Sequence, residues 1–318
     1  TWTHGFGMSE ALQHGAAGGE TSALDRGAAR ASSAVQHRTP MGTVLRALRR
    51  DRAAMLGLAL FAVIVLAAVF ADQIAPYNPA LVHPRERLQR PSATYLLGTD
   101  ELGRDVLSRI IFGARVSLAV GAIAVGIAAT VGITLGLVAG FRGGFVDGLI
   151  MRALDGVLAF PSVVLALAII TVLGPSLTNA MIAIGIVTIP TFARVTRGSV
   201  LSIKQREFVE ASRACGATDA RLMLRVVLPN CLSPLLVQIS ISFAAAILVE
   251  AALAFLGLGV QAPTPSWGAM LDTGRKYLDQ TAWYSISAGA AIFLAVLSLN
   301  LLGDGLRDAL DPRLQNRK

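Results

Sequence analysis

A run of 19 uncharged residues, Ala53 to Ala71, constrains this chain more than any other feature. As a helix rising ~1.5 Å per residue it is about 28 Å long, close to the ~30 Å hydrocarbon core of a bilayer. Five further apolar stretches follow, at approximately Val116–Phe141, Gly156–Leu173, Leu177–Ala193, Leu235–Leu258 and Tyr284–Leu302. Each is wide enough, or nearly so, to cross a membrane. The chain is 54% hydrophobic and only 15% charged, against roughly 25% charged residues in a soluble domain, so the surplus apolar surface needs lipid. The expected fold class is therefore an all-α integral membrane protein with about six transmembrane helices.

Charge placement orients it. Arg46, Arg49, Arg50 and Arg52 precede the first span and Asp72 follows it, so the positive-inside bias puts the N-terminal side in the cytoplasm, and six crossings return the C-terminal side there. From Arg38 onward this arrangement leaves 18 Lys and Arg inside and 8 outside. Residues 1–40, rich in Gly, Ala, Ser and His, lack a periodic apolar pattern and are expected to form a disordered tail. A cleaved leader fits poorly, because the first apolar run begins some 50 residues in and exceeds an ordinary signal core. Residues 41–72 hold the first span, 73–115 an outer loop and helix, 116–314 the membrane core with a cytoplasmic loop at 194–234, and 315–318 a short tail.

Gly132, Gly136 and Gly140 recur every four residues in the second span, a small-residue face on which another helix can approach closely. Pro161 and Pro190 are expected to interrupt the third and fourth spans, freeing carbonyls that neighbours or water must satisfy.

Several chemistries are excluded. No GxxxxGK[ST] phosphate loop exists, since Lys204, Lys276 and Lys318 follow Ile, Arg and Arg. His4, His14, His37 and His83 lie outside every expected span and make no metal-ligand spacing, and no GxSxG elbow occurs. No metal or cofactor is expected on the chain. Its net charge of +8 is scattered between apolar runs, so no nucleic-acid module is expected. Cys215 and Cys231 share one cytoplasmic segment, where thiols stay reduced.

The 194–234 loop is too long for an idle connection. Glu207 to Ala214 is compatible with a helix, Gly216 with a stop, Thr218 with a cap for a second helix bearing Asp219 in its first turn, and Pro229 with its end. Leu222, Leu224, Val226 and Val227 alternate with Arg221 and Arg225, as expected of a partly exposed helical pair that presents a surface.

Glu210-Ala211-Ser212, then Gly216, then Val226-Val227-Leu228-Pro229 resembles the EAA loop of ABC importer permeases. The resemblance continues. Gly98-Thr99-Asp100-Glu101-Leu102-Gly103-Arg104-Asp105 with Leu107-Ser108-Arg109 is similar to the GTDxxGRDxLSR stretch of the dipeptide and oligopeptide branch. So are Phe255-Leu256-Gly257-Leu258-Gly259, Pro265-Ser266-Trp267-Gly268 and Asn300-Leu301-Leu302-Gly303-Asp304-Gly305-Leu306-Arg307-Asp308. Together they cover roughly residues 41 to 314. Ser212 in place of the second Ala, Cys215 in place of a common Leu and Val226 in place of Ile are small departures.

The resemblance implies the type I ABC importer permease fold in the inner membrane of a bacterium. It implies a second, homologous permease, two ATP-binding subunits carrying Mg-ATP, and an extracytoplasmic substrate-binding protein. The chain most resembles the second of two unlike permeases in a peptide importer. Glu207, Glu210, Ala211, Ser212, Gly216 and Pro229 would then couple to an ATPase, with Glu210 facing a basic or amide group there or capping within the loop. Gly98, Thr99, Asp100, Gly103, Arg104, Asp105 and Trp267 would line an outer gate or meet the binding protein, while Asp100 by position can cap the helix that follows. Trp267 and Trp283 fit interface anchors equally well.

Glu250, inside the fifth span, must face protein or a water-filled cavity, because a charge at a helix centre costs about 2.5 to 3.5 kcal/mol on insertion scales. A pathway role and a pairing role both fit it. Asn300 is expected to form an interhelical hydrogen bond.

The implied function is ATP-driven import of dipeptides or oligopeptides, with nickel, glutathione or opine-like solutes as the alternatives within the class. An ion-coupled secondary transporter would want several intramembrane charges, and only Glu250 is found. An intramembrane enzyme would need a nucleophile or metal ligands within the spans.

Overall fold

The computed structural model describes residues 48, 49 and 51–310; the expected tails at 1–40 and 315–318 lie outside them. Helices account for nearly all regular structure. Among the described residues the only β-type pairing is an isolated bridge between Thr99 and Asp105.

The first span is α1, Arg52–Val69, begun by Asp51, whose carboxylate accepts from the Ala53 and Ala54 amides at 2.9 and 3.3 Å. A single turn, α2, Ala71–Ile74, follows, then an irregular segment with one 3-10 turn at Pro84–Glu86. Next comes α3, Val106–Arg142, which starts ten residues before the expected span. The third span is not one helix: α4, Gly144–Leu158, and α5, Ser162–Leu173, meet at 87° across Ala159-Phe160-Pro161. Pro161 cannot donate an amide, so the break falls where the sequence placed it, but its first arm starts twelve residues before Gly156.

The fourth span corrects two expectations. Helix α6, Leu177–Ile203, is continuous through a buried Pro190 and ends nine residues beyond Arg194. Arg194 and Arg197, which mark a span end in sequence, are neutralised by Asp155 at 2.6 Å and Asp147 at 2.5 Å on α4, so the helix has no electrostatic reason to stop. The loop therefore begins near Lys204, whose ammonium donates to the Gly140 carbonyl at 2.8 Å.

Beyond the loop run α7, Glu207–Ala214, α8, Asp219–Arg221, a π-type turn at Leu222–Val227 and α9, Leu228–Asn230. The remaining helices are α10, Leu232–Phe255, α11, Trp267–Arg275, and α12, Trp283–Leu310. Among the described residues five helices are long and apolar enough to cross a membrane, and the count rises to six if the bent α4–α5 pair is one span.

The core is built on α3 against α6. A Cβ on Gly132, Gly136 or Gly140 would come within 2.6, 2.7 and 2.9 Å of the Cβ atoms of Phe192, Thr196 and Val200. The expected small-residue face is thus the face that lets these two backbones close. Val120, Ala124, Ala128, Ile184 and Phe192 fill this seam. A second cluster gathers Ala244 and Ile247 of α10, Trp267 of α11 and Ile292 and Ala295 of α12.

Candidate functional site

Two assemblies stand out, one at each end of the bundle. The first is the loop after α6. Its helix α7 is anchored by Val209, 2% exposed, while Glu207, Phe208, Glu210, Ala211, Arg213 and Ala214 are exposed and Ser212 is half-buried. Gly216 then turns the chain at φ +83°, a conformation that side-chain-bearing residues adopt only with strain. Thr218 caps the next helix by accepting from the Arg221 amide at 3.4 Å, and Asp219 occupies its first turn. Helix, tight turn, helix is what the spacing predicts.

The second arm differs from expectation. Pro229 does not end it: the chain runs through Pro229 and the single turn residue Cys231 into α10. Leu222, Val227 and Cys231 are fully buried and seat the arm on the bundle, which leaves Leu224 59% exposed. The π-type turn spanning them carries no signal in the residue pattern. Such turns are rare and concentrate at functional sites.

Arg213 lies over the Phe141 ring, 5.9 Å from its centroid. A hollow of about 670 Å³ opens there, lined by Phe141, Lys204, Gln205, Val209, Glu210, Arg213 and Ala214. The loop thus presents a surface of mixed charge with an apolar floor.

The second assembly is the turn before α3. Thr99, Asp100, Gly103, Arg104 and Asp105 are all buried, and Trp267 is 2% exposed. Asp100 does not cap α3. Its Oδ1 accepts from the amides of Leu102 and Arg104, both at 2.9 Å, and its Oδ2 meets Arg104 Nε at 2.6 Å and Arg109 Nε at 3.3 Å. Asp105 is the cap, accepting from the Ser108 amide at 2.8 Å and its hydroxyl at 2.6 Å. Gly98 and Gly103 take positive φ on either side of this turn. Trp267 Nε1 donates to the Ile110 carbonyl of α3 at 2.9 Å, tying α11 to the same element. These residues brace one another beneath the surface, whereas Leu96 and Leu102 are exposed.

Glu250 and Asn300 part company. Glu250 is 1% exposed, and neither its carboxylate oxygens nor the Ser117 hydroxyl has a hydrogen-bond partner. It lies within the chain's own packing, with Ser117 and Ser266 as its polar neighbours. Asn300 is exposed on α12, and the interhelical bond expected of it is not made among the described residues.

No cluster of three or more His, Cys, Asp or Glu side chains able to hold a metal occurs among the described residues.

The described residues thus form a bundle of membrane-length helices with a braced turn at one end and a presented helical loop at the other. Residues 132–316 match the family described as binding-protein-dependent transport system inner membrane component. Residues 39–91 match the N-terminal TM domain of oligopeptide transport permease C. The di/tripeptide transport system permease protein DppC of Pseudomonas aeruginosa is 47% identical over 284 residues, covering 87% of this chain and 94% of that protein. The dipeptide permease DppC of Escherichia coli K12 is also 47% identical, over 87% of this chain and 94% of that one. The glutathione permease GsiD of Shigella dysenteriae is 44% identical, over 88% and 93%. The inward-facing MetNI methionine ABC transporter shares the fold with TM-score 0.54 at 18% identity, covering 64% of this chain and 96% of its own. The chain belongs to the binding-protein-dependent transport system inner membrane components and is a permease of an ABC importer.

Proposed function

We propose that this chain is one of two unlike permeases that together form the path for dipeptides or oligopeptides across the inner membrane of a bacterium. A binding protein delivers the substrate from outside, and two ATPases on the cytoplasmic side drive the cycle with Mg-ATP. The observation that carries the reading is the exposed face of α7, with Glu207, Glu210 and Ala211 outward and Val209 anchored inward.

A permease without a phosphate loop needs a mechanical link to its energy source, and a ligand shifts a two-state equilibrium only through differential affinity for the two states. Closure of an ATPase pair must therefore be felt at a surface that moves as one body with the spans. The α7 helix qualifies: Val209, Leu222, Val227 and Cys231 join it to the α3–α6 core. Both ends of the chain lie in the cytoplasm in this reading, on the side of this loop.

The 47% identical di/tripeptide and dipeptide permeases support a peptide substrate, and the 44% identical glutathione permease, whose cargo is itself a tripeptide, supports a second cargo. The test purifies the tagged chain from its host in mild detergent, with and without the double substitution Glu210→Lys, Gly216→Val, and identifies the co-purifying proteins. P-loop ATPases and a second permease with the unaltered chain, and ATPases lost with the variant, support the reading. A solitary chain that still transports overturns it. Uptake of labelled dipeptide against labelled glutathione by the reconstituted complex separates the two cargoes.

A further inference from the structure

We propose that α4 is an interfacial helix: it lies in the membrane surface on the side of the α7 loop, buries Phe145 and Leu149 among acyl chains, and seats an anionic phospholipid headgroup on Arg152. Asp147 meets Arg197 through two contacts, 2.5 and 2.6 Å, and Asp155 meets Arg194 at 2.6 Å. Between the two ion pairs α4 advances eight residues, about 12 Å along its own axis, while the partners on α6 step back three, about 4.5 Å. Because α5 runs back along α6 to Asn179, the near-right-angle bend before it sets α4 across α6. The 87° corner at Ala159-Phe160-Pro161 then turns the chain into α5.

The level is fixed as well. Gly143 and Gly144, both at positive φ, join α4 directly to the end of α3, and Lys204 of the loop reaches Gly140 one turn away.

The two faces of α4 differ in kind. Leu154 is buried and Asp147 points at Arg197. On the opposite side Phe145, Leu149, Arg152 and Gly156 are exposed, and at ~100° per residue these four fall within about 60° of arc. Phe145 is 84% exposed and Leu149 60%; Phe160 extends the stripe past the helix end at 58%. An apolar stripe this exposed marks a membrane or protein contact.

Charge chooses the occupant. Both carboxylates of α4 are consumed by arginines of α6, whereas Arg152 and nearby Arg142 make no ion pair within the described residues. The unpaired charge of the element is positive and set in apolar surroundings, the pattern of a helix that lies on anionic lipid. A guanidinium at that level offers forked donors to a phosphate while its stem stays among the acyl chains.

The test uses the full complex in nanodiscs of phosphatidylcholine with phosphatidylglycerol, in a Cys215→Ser background. Nitroxide labels are placed at Phe145→Cys and Leu149→Cys, with exposed Arg90→Cys as the aqueous reference. Oxygen should relax the first two labels more than a water-soluble nickel chelate does, and the order should reverse at residue 90. Access of the nickel chelate at 149 would put α4 in water and overturn the proposal. Exclusion of both reagents would put a partner subunit on it, with the same consequence. Lipid extracted from the washed complex should lose its phosphatidylglycerol excess in Arg152→Glu and keep it in Arg152→Lys; an unchanged excess in Arg152→Glu would overturn the headgroup assignment. Label depth does not depend on the cargo or on coupling, so a failure here and a failure of the transport reading are separable.

Discussion

Asp100 has no exposed surface, and both Arg104 and Arg109, each nearly buried, end on its carboxylate. Asp100→Asn would leave Arg109 without its counter-charge and Arg104 with Glu101 alone, and breaking a buried ion pair by removing one partner costs about 3 to 5 kcal/mol. The expected outcome is a markedly lower Tm for the detergent-solubilised variant, while Asp72→Asn, whose pair with Arg115 is solvated, shifts it little. The motif was visible in sequence, yet its meaning was not. Asp100 and Asp105 both precede a helical pattern, and nothing local says that one would be captured by Arg109, nine residues on, leaving the cap to the other. The cysteines give a second expectation. Burial pushes the Cys231 thiol up to about 11, whereas Cys215 is exposed. A raised thiol pKa means that the reactive thiolate is scarce at every pH below that value. Iodoacetamide at pH 8 should therefore modify Cys215 alone in the native protein and both residues after denaturation; rapid native labelling of Cys231 would contradict the packing of the second loop arm.

At the scale of elements, the seam between α3 and α6 depends on the absence of side chains. At Gly136 an added Cβ would meet the Ala193 carbonyl and lie 2.7 Å from the Thr196 Cβ. Gly136→Leu should then cost at least the about 1–3 kcal/mol typical of overpacking, read as lost thermal stability in detergent, with Gly126→Leu as the comparison because a Cβ there meets nothing within 4 Å. Equal losses at both positions would mean that bulk alone, not the seam, sets the cost. The four-residue glycine repeat made this contact legible without coordinates. The length of α6 was not, because Arg194 and Arg197 look like the end of a span until Asp155 and Asp147 are brought beside them from another element. The turn at Gly216 was legible because only one residue type suits φ +83°. The π-type turn and the passage through Pro229 depend on how Leu222, Val227 and Cys231 seat on the core, which no local pattern encodes.

For the whole molecule, the number of crossings follows from which ends of the helices meet. The end of α3 lies beside the end of α6, since Gly140 touches Val200 and accepts from Lys204. The end of α5 lies beside the start of α6, since the Asn179 amide donates to the carbonyls of Leu173 and Gly174, both at 2.9 Å. Between them the chain has travelled the length of α6, so the α4–α5 pair makes one traverse, with α5, about 18 Å long, and the corner before it carrying the crossing. With the five long helices among the described residues this would make six crossings, an even number, which predicts that Arg49 and Arg307 share a side. Arg49→Cys and Arg307→Cys, each in a Cys215→Ser background, should accordingly react with a membrane-impermeant maleimide from the same face of oriented vesicles, and Arg90→Cys from the other. Arg49 and Arg307 reacting from opposite faces would mean that the α4–α5 corner returns to the side it came from, and the even count would fall with it. Reaction of both only in inside-out vesicles would add the orientation that the 18-to-8 distribution of basic residues favours.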